Sequence, residues 1–210
     1  MPYGYLGQNT PNQTVANSGV FSITDVAELQ SQGKLGGSLE LIEEQTITSS
    51  TATMDFTSIQ ENVYDVHYLT FENFTGVNDS NLAFRLSNDG GSSFISSGYQ
   101  FAQQYGGSNG SFAETKSTSY AQQGFLSTNA NAGGNGNGYV YLYNLGNSSK
   151  YSFDSYQSTN LQSSSNFYMQ FGGAVLPTAE THNAIRLFVI SGNINTLTAK
   201  LYGVKQIWVT

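Results

Sequence analysis

The sequence predicts an all-β protein: an antiparallel β-sandwich, jelly-roll-like, preceded by an N-terminal arm and one short helix. Three observations carry this. From Leu39 onward apolar residues recur with a period of two, and clusters of Gly, Asn, Asp and Ser interrupt them at strand-length intervals. Convincing helical spacing occurs once, near residue 23, so strands follow strands without the alternating helices of an α/β fold. The polar residues are almost all uncharged: 10% of the 210 positions are Asp, Glu, Lys or Arg and 13% are aromatic, where ordinary domains carry about 25% charge.

Residues 1 to about 20 are rich in Gly, Asn, Gln and Pro and cannot build a core alone. They read as an arm whose dispersed apolar residues Tyr3, Tyr5, Leu6, Val15, Val20 and Phe21 dock onto another surface and order there. Ser22 then caps a short helix in which Ile23, Val26, Ala27 and Leu29 recur at helical spacing, with Asp25 as the return acceptor and Gly33 as the stop. The expected division is therefore 1–45 for arm and helix, the docking segment, and 46–210 for the sandwich.

Within the sandwich, Val63 to Phe71 is the first strongly β-like run. Asn81 to Ser87 alternates, with Leu82, Phe84 and Leu86 expected inward and Ala83 and Arg85 outward, and it ends in the turn Asn88-Asp89-Gly90-Gly91. Further strands are expected over Tyr139 to Leu145, Asn166 to Phe171, Ala184 to Ile190 and Leu197 to Tyr202. The Gly/Asn tract from Gly124 to Gly138 lacks an apolar anchor and reads as a flexible surface loop. A chain of this length suits one main domain, whose fourteen Tyr and thirteen Phe supply the burial that the low charge and modest aliphatic content do not.

Composition excludes several functions. The seven basic residues, Lys34, Arg85, Lys116, Lys150, Arg186, Lys200 and Lys205, are spread thinly in a chain of net charge −7. Neither nucleic-acid binding nor docking to an anionic membrane is expected from them. With no Cys there is no disulfide and no thiolate metal site. The opening Met1 to Gly7 lacks the basic start and apolar run of a secretory signal, and no stretch approaches a membrane span, so synthesis in a host cytosol is expected, without membrane insertion.

Catalytic constellations are sought without success. His67 and His182 form no pair at ligand spacing, no Ser lies in a G-x-S-x-G elbow, and neither His stands beside a persuasive nucleophile. Asp65, Glu72, Asp79 and Asp89 could supply two acids for a glycosidase, an alternative set against ordinary acids at strand ends and turns. Asn78-Asp79-Ser80-Asn81 and Asn88-Asp89-Gly90 offer oxygens to Ca²⁺ but lack the spacing of a dedicated loop; Asx turns explain them more simply. The glycines of 133–138 precede a strand rather than a helix and cradle no phosphate. Tyr139, Tyr141 and Tyr143 share one strand face, as half of a core or as an exposed stacking platform; Val140 and Leu142 on the opposite face favour core. No metal or other cofactor is expected, and no enzymatic activity.

A resemblance adds to this reading. Ser22 to Gln45 (SITDVAELQSQGKLGGSLELIEEQ), the run Tyr64-Asp65-Val66-His67 leading into Leu86-Ser87-Asn88-Asp89-Gly90-Gly91-Ser92-Ser93-Phe94, and the ending Ala199-Lys200-Leu201-Tyr202-Gly203-Val204 together resemble virion structural proteins of tailed bacteriophages, especially marine and cyanobacterial ones. The resemblance spans most of the chain; its motifs are weak singly and more specific as a set. It implies a component of the virion surface, a capsid decoration or knob or a tail-fibre or adaptor head, with other virion proteins as partners. Self-association is expected, with three copies by analogy. The alternative is a receptor- or carbohydrate-binding module that grips a host-surface glycan through tyrosines and Asn side chains; a polysaccharide hydrolase is the second alternative.

Overall fold

The computed structural model describes residues 23, 27, 38–78, 81–127, 134–162 and 165–205, with 124, 125 and 127 described by their backbone alone. Among the described residues twelve strands follow in chain order: β1 (Leu39–Ile47), β2 (Thr53–Phe56), β3 (Val66–Gly76), β4 (Leu82–Ser87), β5 (Tyr99–Gly107), β6 (Phe112–Tyr120), β7 (Gln123–Ser127), β8 (Asn135–Tyr143), β9 (Ser152–Leu161), β10 (Phe167–Leu176), β11 (Ala184–Val189) and β12 (Ile194–Val204). An eight-stranded sheet runs β1-β12-β3-β8-β9-β10-β5-β6 and a four-stranded sheet β2-β11-β4-β7. Every strand pair with an assigned register is antiparallel. The all-β sandwich expected from the sequence is the architecture found.

The chain crosses between sheets in pairs. β3 pairs with β12 in the large sheet while β4 pairs with β11 in the small one, so the links β3–β4 and β11–β12 run side by side. Val77 N–H donates to Asn193 C=O at 2.9 Å across those links. Gly192 turns with φ of 89°, and a Cβ there would lie 2.8 Å from Asn78 Nδ2, so the tight crossing needs its glycine.

The core lies between the sheets. Phe56, Phe84, Leu86 and Leu187 come from the small sheet and Leu69, Phe71, Phe74, Val140, Leu142 and Leu201 from the large one, all nearly or wholly buried. Leu82, Phe84 and Leu86 point inward as their alternation requires. Ala83 departs from expectation: it is fully buried, because Phe188 stands opposite it on β11 and Arg85 folds to 4.6 Å above that ring. Tyr99 is buried as well, its hydroxyl accepting from Leu86 N–H at 3.0 Å and donating to Ile95 C=O at 3.1 Å. Arg186 and Asp55, opposite each other on β11 and β2, form a two-pronged ion pair at 2.7 and 2.6 Å, with the guanidinium 4.0 Å from the Phe94 ring centre.

The stretch from Leu41 to Val204 forms one compact unit; residues 1–40 with 205–210 form another. The expected boundary at 45/46 thus falls inside β1. In the second unit, Lys205 N–H donates to Ser38 C=O at 2.8 Å and Lys205 Nζ lies 2.9 Å from Glu40. Of the expected helix, Ile23 and Ala27 are described and both are helical. The arm residues Tyr3, Tyr5, Leu6, Val15, Val20 and Phe21 lie outside the described residues.

The Gly/Asn tract corrects the loop reading. Its ends are strand: β7 reaches Ser127 and β8 begins at Asn135, with Gly136 and Gly138 in the ladder. Glycine is needed there for space, since a Cβ on Gly138 would meet Gln157 C=O and the Phe71 ring, each at 2.6 Å.

Candidate functional site

The outer face of the eight-stranded sheet is where the sequence placed the wrong residues inside. Tyr139, Tyr141 and Tyr143 are half-buried on that face, while Val140 and Leu142 fill the core. The favoured core reading of the tyrosines is therefore corrected: β8 has two hydrophobic faces, and its partners put the aliphatic one inside. Tyr141 stands opposite Tyr68 on β3, and Tyr68 opposite Tyr202 on β12. Ring centres are 4.7 Å apart for Tyr68–Tyr141, 5.7 Å for Tyr68–Tyr139 and 6.1 Å for Tyr68–Tyr202, a cross-strand aromatic ladder. Burial, then the neighbouring phenols, push the Tyr68 hydroxyl pKa up, so Tyr68 stays un-ionised at neutral pH.

Register continues the Tyr202–Tyr68–Tyr141 row across the sheet into a channel of small residues. Tyr141 faces Ser155 on β9, Ser155 faces Gly173 on β10, Gly173 faces Ala102 on β5, and Ala102 faces Lys116 on β6. The parallel rows on either side are larger. One holds Tyr143, Phe153, Val175 and Gln100; the other holds Tyr139, Gln157, Phe171 and Gln104. Residues directly opposite share a face, so small side chains between two bulky rows make a trough that crosses the strands.

The hollow over this floor is about 810 Å³ and is lined by Gln100, Ala102, Lys116, Phe153, Gly173 and Val175 among others. A second, about 330 Å³, continues past Ala102 along Gln104, Glu114 and Phe171. A third, also about 330 Å³, opens over Gly138 between Tyr68, Thr70, Tyr139 and Gln157. Phe153 and Phe171 are 45% and 47% exposed, a cost that isolated apolar side chains on a sheet would not repeat so regularly. From β8 to β5 this face carries no charged side chain. Charge stands on the strands beyond: Lys116–Glu114 at 2.7 Å on β6, Glu72 on β3 beside the third hollow, and Lys200–Glu44 at 3.7 Å on β12 and β1. Polar groups are held in place: Tyr139 Oη donates to Gln157 Oε1 at 3.1 Å, and Tyr143 Oη lies 3.3 Å from Ser155 Oγ.

The sequence-predicted catalytic candidates are scattered. Asp65 precedes β3, Glu72 lies within it, Asp89 lies in the turn after β4, and Asp79 is outside the described residues. Asp89 is an Asx-turn acceptor: it takes Ser93 N–H at 2.9 Å, Ser93 Oγ at 2.6 Å and Ser87 Oγ at 2.7 Å, and these bonds hold its carboxyl at about 2. Among the described residues no group of three or more His, Asp or Glu stands ready to hold a metal.

One constellation escaped sequence reasoning. His182 Nδ1 lies 2.8 Å from Ser152 Oγ, and its Nε2 lies 3.3 Å from Glu180 Oε1. Serine, imidazole and carboxylate thus meet without any local motif to announce them. Ser152 is 1% and His182 0% exposed, and neither lines the three hollows. Burial lowers the His182 pKa despite Glu180, so the ring is neutral and the chain of bonds ties the start of β9 to the segment before β11. His67 is likewise buried, with Nε2 2.8 Å from Ile59 C=O, and burial lowers its pKa.

The inward face of β9 is polar. Ser152, Asp154, Tyr156, Ser158 and Asn160 alternate into the interior, and Tyr156 Oη donates to Gln103 Oε1 at 2.6 Å. Asp154 stands between Leu142 and Ala174 across the strands, and its carboxyl pKa is pushed up by burial to about 7, with the Ala174 N–H opposing the shift.

Compared with known proteins, the chain matches no protein-family model and no curated protein.

Proposed function

We propose that this chain is a non-enzymatic structural component of a phage particle, a surface-exposed capsid or tail accessory module that docks through its N-terminal segment and presents the eight-stranded sheet outward. The observation that carries this is the outer face itself: uncharged from β8 to β5, lined by half-exposed aromatic rings and channelled by its register. Uncovered aromatic surface of this extent is the mark of a contact face rather than of an inert wall. The polar, arm-like composition of residues 1 to about 20 supports the docking role.

The test is reconstitution. Particles assembled without this chain are mixed with the purified full-length protein or with a form lacking residues 1–20, and incorporation is read by sedimentation. Full-length protein is expected to bind and the truncated form to remain free while keeping its β circular dichroism. Equal incorporation of both forms refutes the docking arm; failure of the full-length protein to bind refutes the virion assignment. Sedimentation of the free protein tests the expected self-association.

A further inference from the structure

We infer that the cross-strand trough of the outer face is a binding site for an uncharged glycan chain, whose sugar rings lie over the Ser155–Gly173–Ala102 floor between Phe153 and Phe171. This deepens the surface-module reading and rests on the sheet facing outward.

Shape comes first. The floor crosses β9, β10 and β5, and with β8 at its mouth it spans three strand spacings of about 4.8 Å, roughly 14 Å. That is an open channel for a short extended ligand rather than a closed pocket for a small one. Gly173 keeps the channel deep, and its backbone leaves no alternative: a Cβ there would lie 2.7 Å from Asp154 C=O. Chemistry comes second. A pyranose ring offers an apolar C–H face to an aromatic ring and a rim of hydroxyls to amides and hydroxyls. The trough has Phe153 and Phe171 for the first and Gln100, Gln104, Gln157 and Ser155 for the second.

Charge separates the occupants. The absence of charged side chains from β8 to β5 matches a ligand that is itself uncharged, whereas nucleic acid would need clustered cations. A protein partner would ordinarily cover one contiguous apolar centre, whereas here the rings stand in two rows on either side of a floor one residue wide; the charges beside it are Lys116 and Glu114 on β6, held to each other at 2.7 Å, and Glu72 on β3.

The experiment titrates full-length protein with neutral glucan, mannan, galactan and xylan oligosaccharides, and with a polyuronate oligomer as charged control. At least one neutral oligosaccharide is expected to bind in preference to the polyuronate. Phe153→Ala and Phe171→Ala are each expected to weaken binding about tenfold, equivalent to about 1.4 kcal/mol. Ala102→Trp, which fills the exposed floor, and Ser155→Asp, which charges it, should abolish binding. Phe112→Ala, 82% exposed on the edge strand β6, should change nothing. Absence of binding to every neutral oligosaccharide overturns the inference, as does binding that all four trough variants retain. Dissociation of an oligomer by Ala102→Trp, with no glycan bound by the parent, makes the face a subunit contact and also overturns it. Particle reconstitution is scored separately, so a protein that rejoins particles but binds no glycan loses this inference alone, and one that binds glycan but never rejoins particles loses the virion reading alone.

Discussion

Substituting Asp154 by Asn changes one atom and removes the only ionisable group on the inward face of β9 below the tyrosine range. The parent residue is 6% exposed and flanked across the strands by Leu142 and Ala174. Neither carboxyl oxygen has a hydrogen bond of good geometry, and Tyr156, the nearest titratable neighbour on its strand face, is itself kept neutral by burial. Burial raises the carboxyl from 3.8 to about 7. In the native state Asp154 therefore holds a proton that the unfolded chain releases near pH 4. The native state binds more protons between these values, so stability falls as pH rises, by about 1.4 kcal/mol per pH unit. The contribution is complete below pH 4 and lost above pH 7, about 4 kcal/mol in all, of which about 3 kcal/mol falls between pH 5 and pH 8.5. Asp154→Asn cannot titrate. Its added amide N–H₂ costs about 1–3 kcal/mol if left without acceptors, and that cost is independent of pH. Urea unfolding of both proteins from pH 5 to pH 8.5 gives a difference curve in which His67 and His182 cancel, because both proteins contain them. The variant should gain about 3 kcal/mol relative to the parent across the range and be the more stable protein at pH 8.5. Parallel curves across this range would show the carboxylate already ionised in the native state at pH 5, and would refute the reasoning.

Two further substitutions test the packing and the Ser152–His182–Glu180 chain. Gly138→Ala should destabilise the sandwich by about 1–3 kcal/mol, because its Cβ would meet Gln157 C=O and the Phe71 ring; an unchanged urea midpoint would show that β8 and β9 can separate to admit a methyl. Ser152→Ala should lower the thermal midpoint, since it strips His182 Nδ1 of its 2.8 Å partner in a site closed to water. A fluorophosphonate probe should leave the folded parent unlabelled; covalent labelling of Ser152 would move the chain to the serine hydrolases.

The period of two along Leu82, Phe84 and Leu86 has one apolar face, so a single strand suffices to orient it, and the turn at Gly90 and Gly91 shows its glycines at φ of 72° and 88°. The uncharged polar composition likewise announced a sandwich whose surface does not depend on charge. β8 and β9 are another matter. Tyr139-Val140-Tyr141-Leu142-Tyr143 is apolar on both faces, and Ser152-Phe153-Asp154-Ser155-Tyr156 places its Phe on the face that proves to be outside. Alternation states that two faces exist and not which one is buried. Register with β3 and β10 decides that, since every residue opposite must share its face, and the ladder therefore carries Asp154 inward and Phe153 outward. The trough follows from the same pairing: Ser155, Gly173 and Ala102 are 18 and 71 residues apart along the chain and become neighbours only when β9, β10 and β5 align. Local composition determined that strands form and roughly where. The long-range hydrogen-bond ladder, which no local window contains, determined which side chains meet.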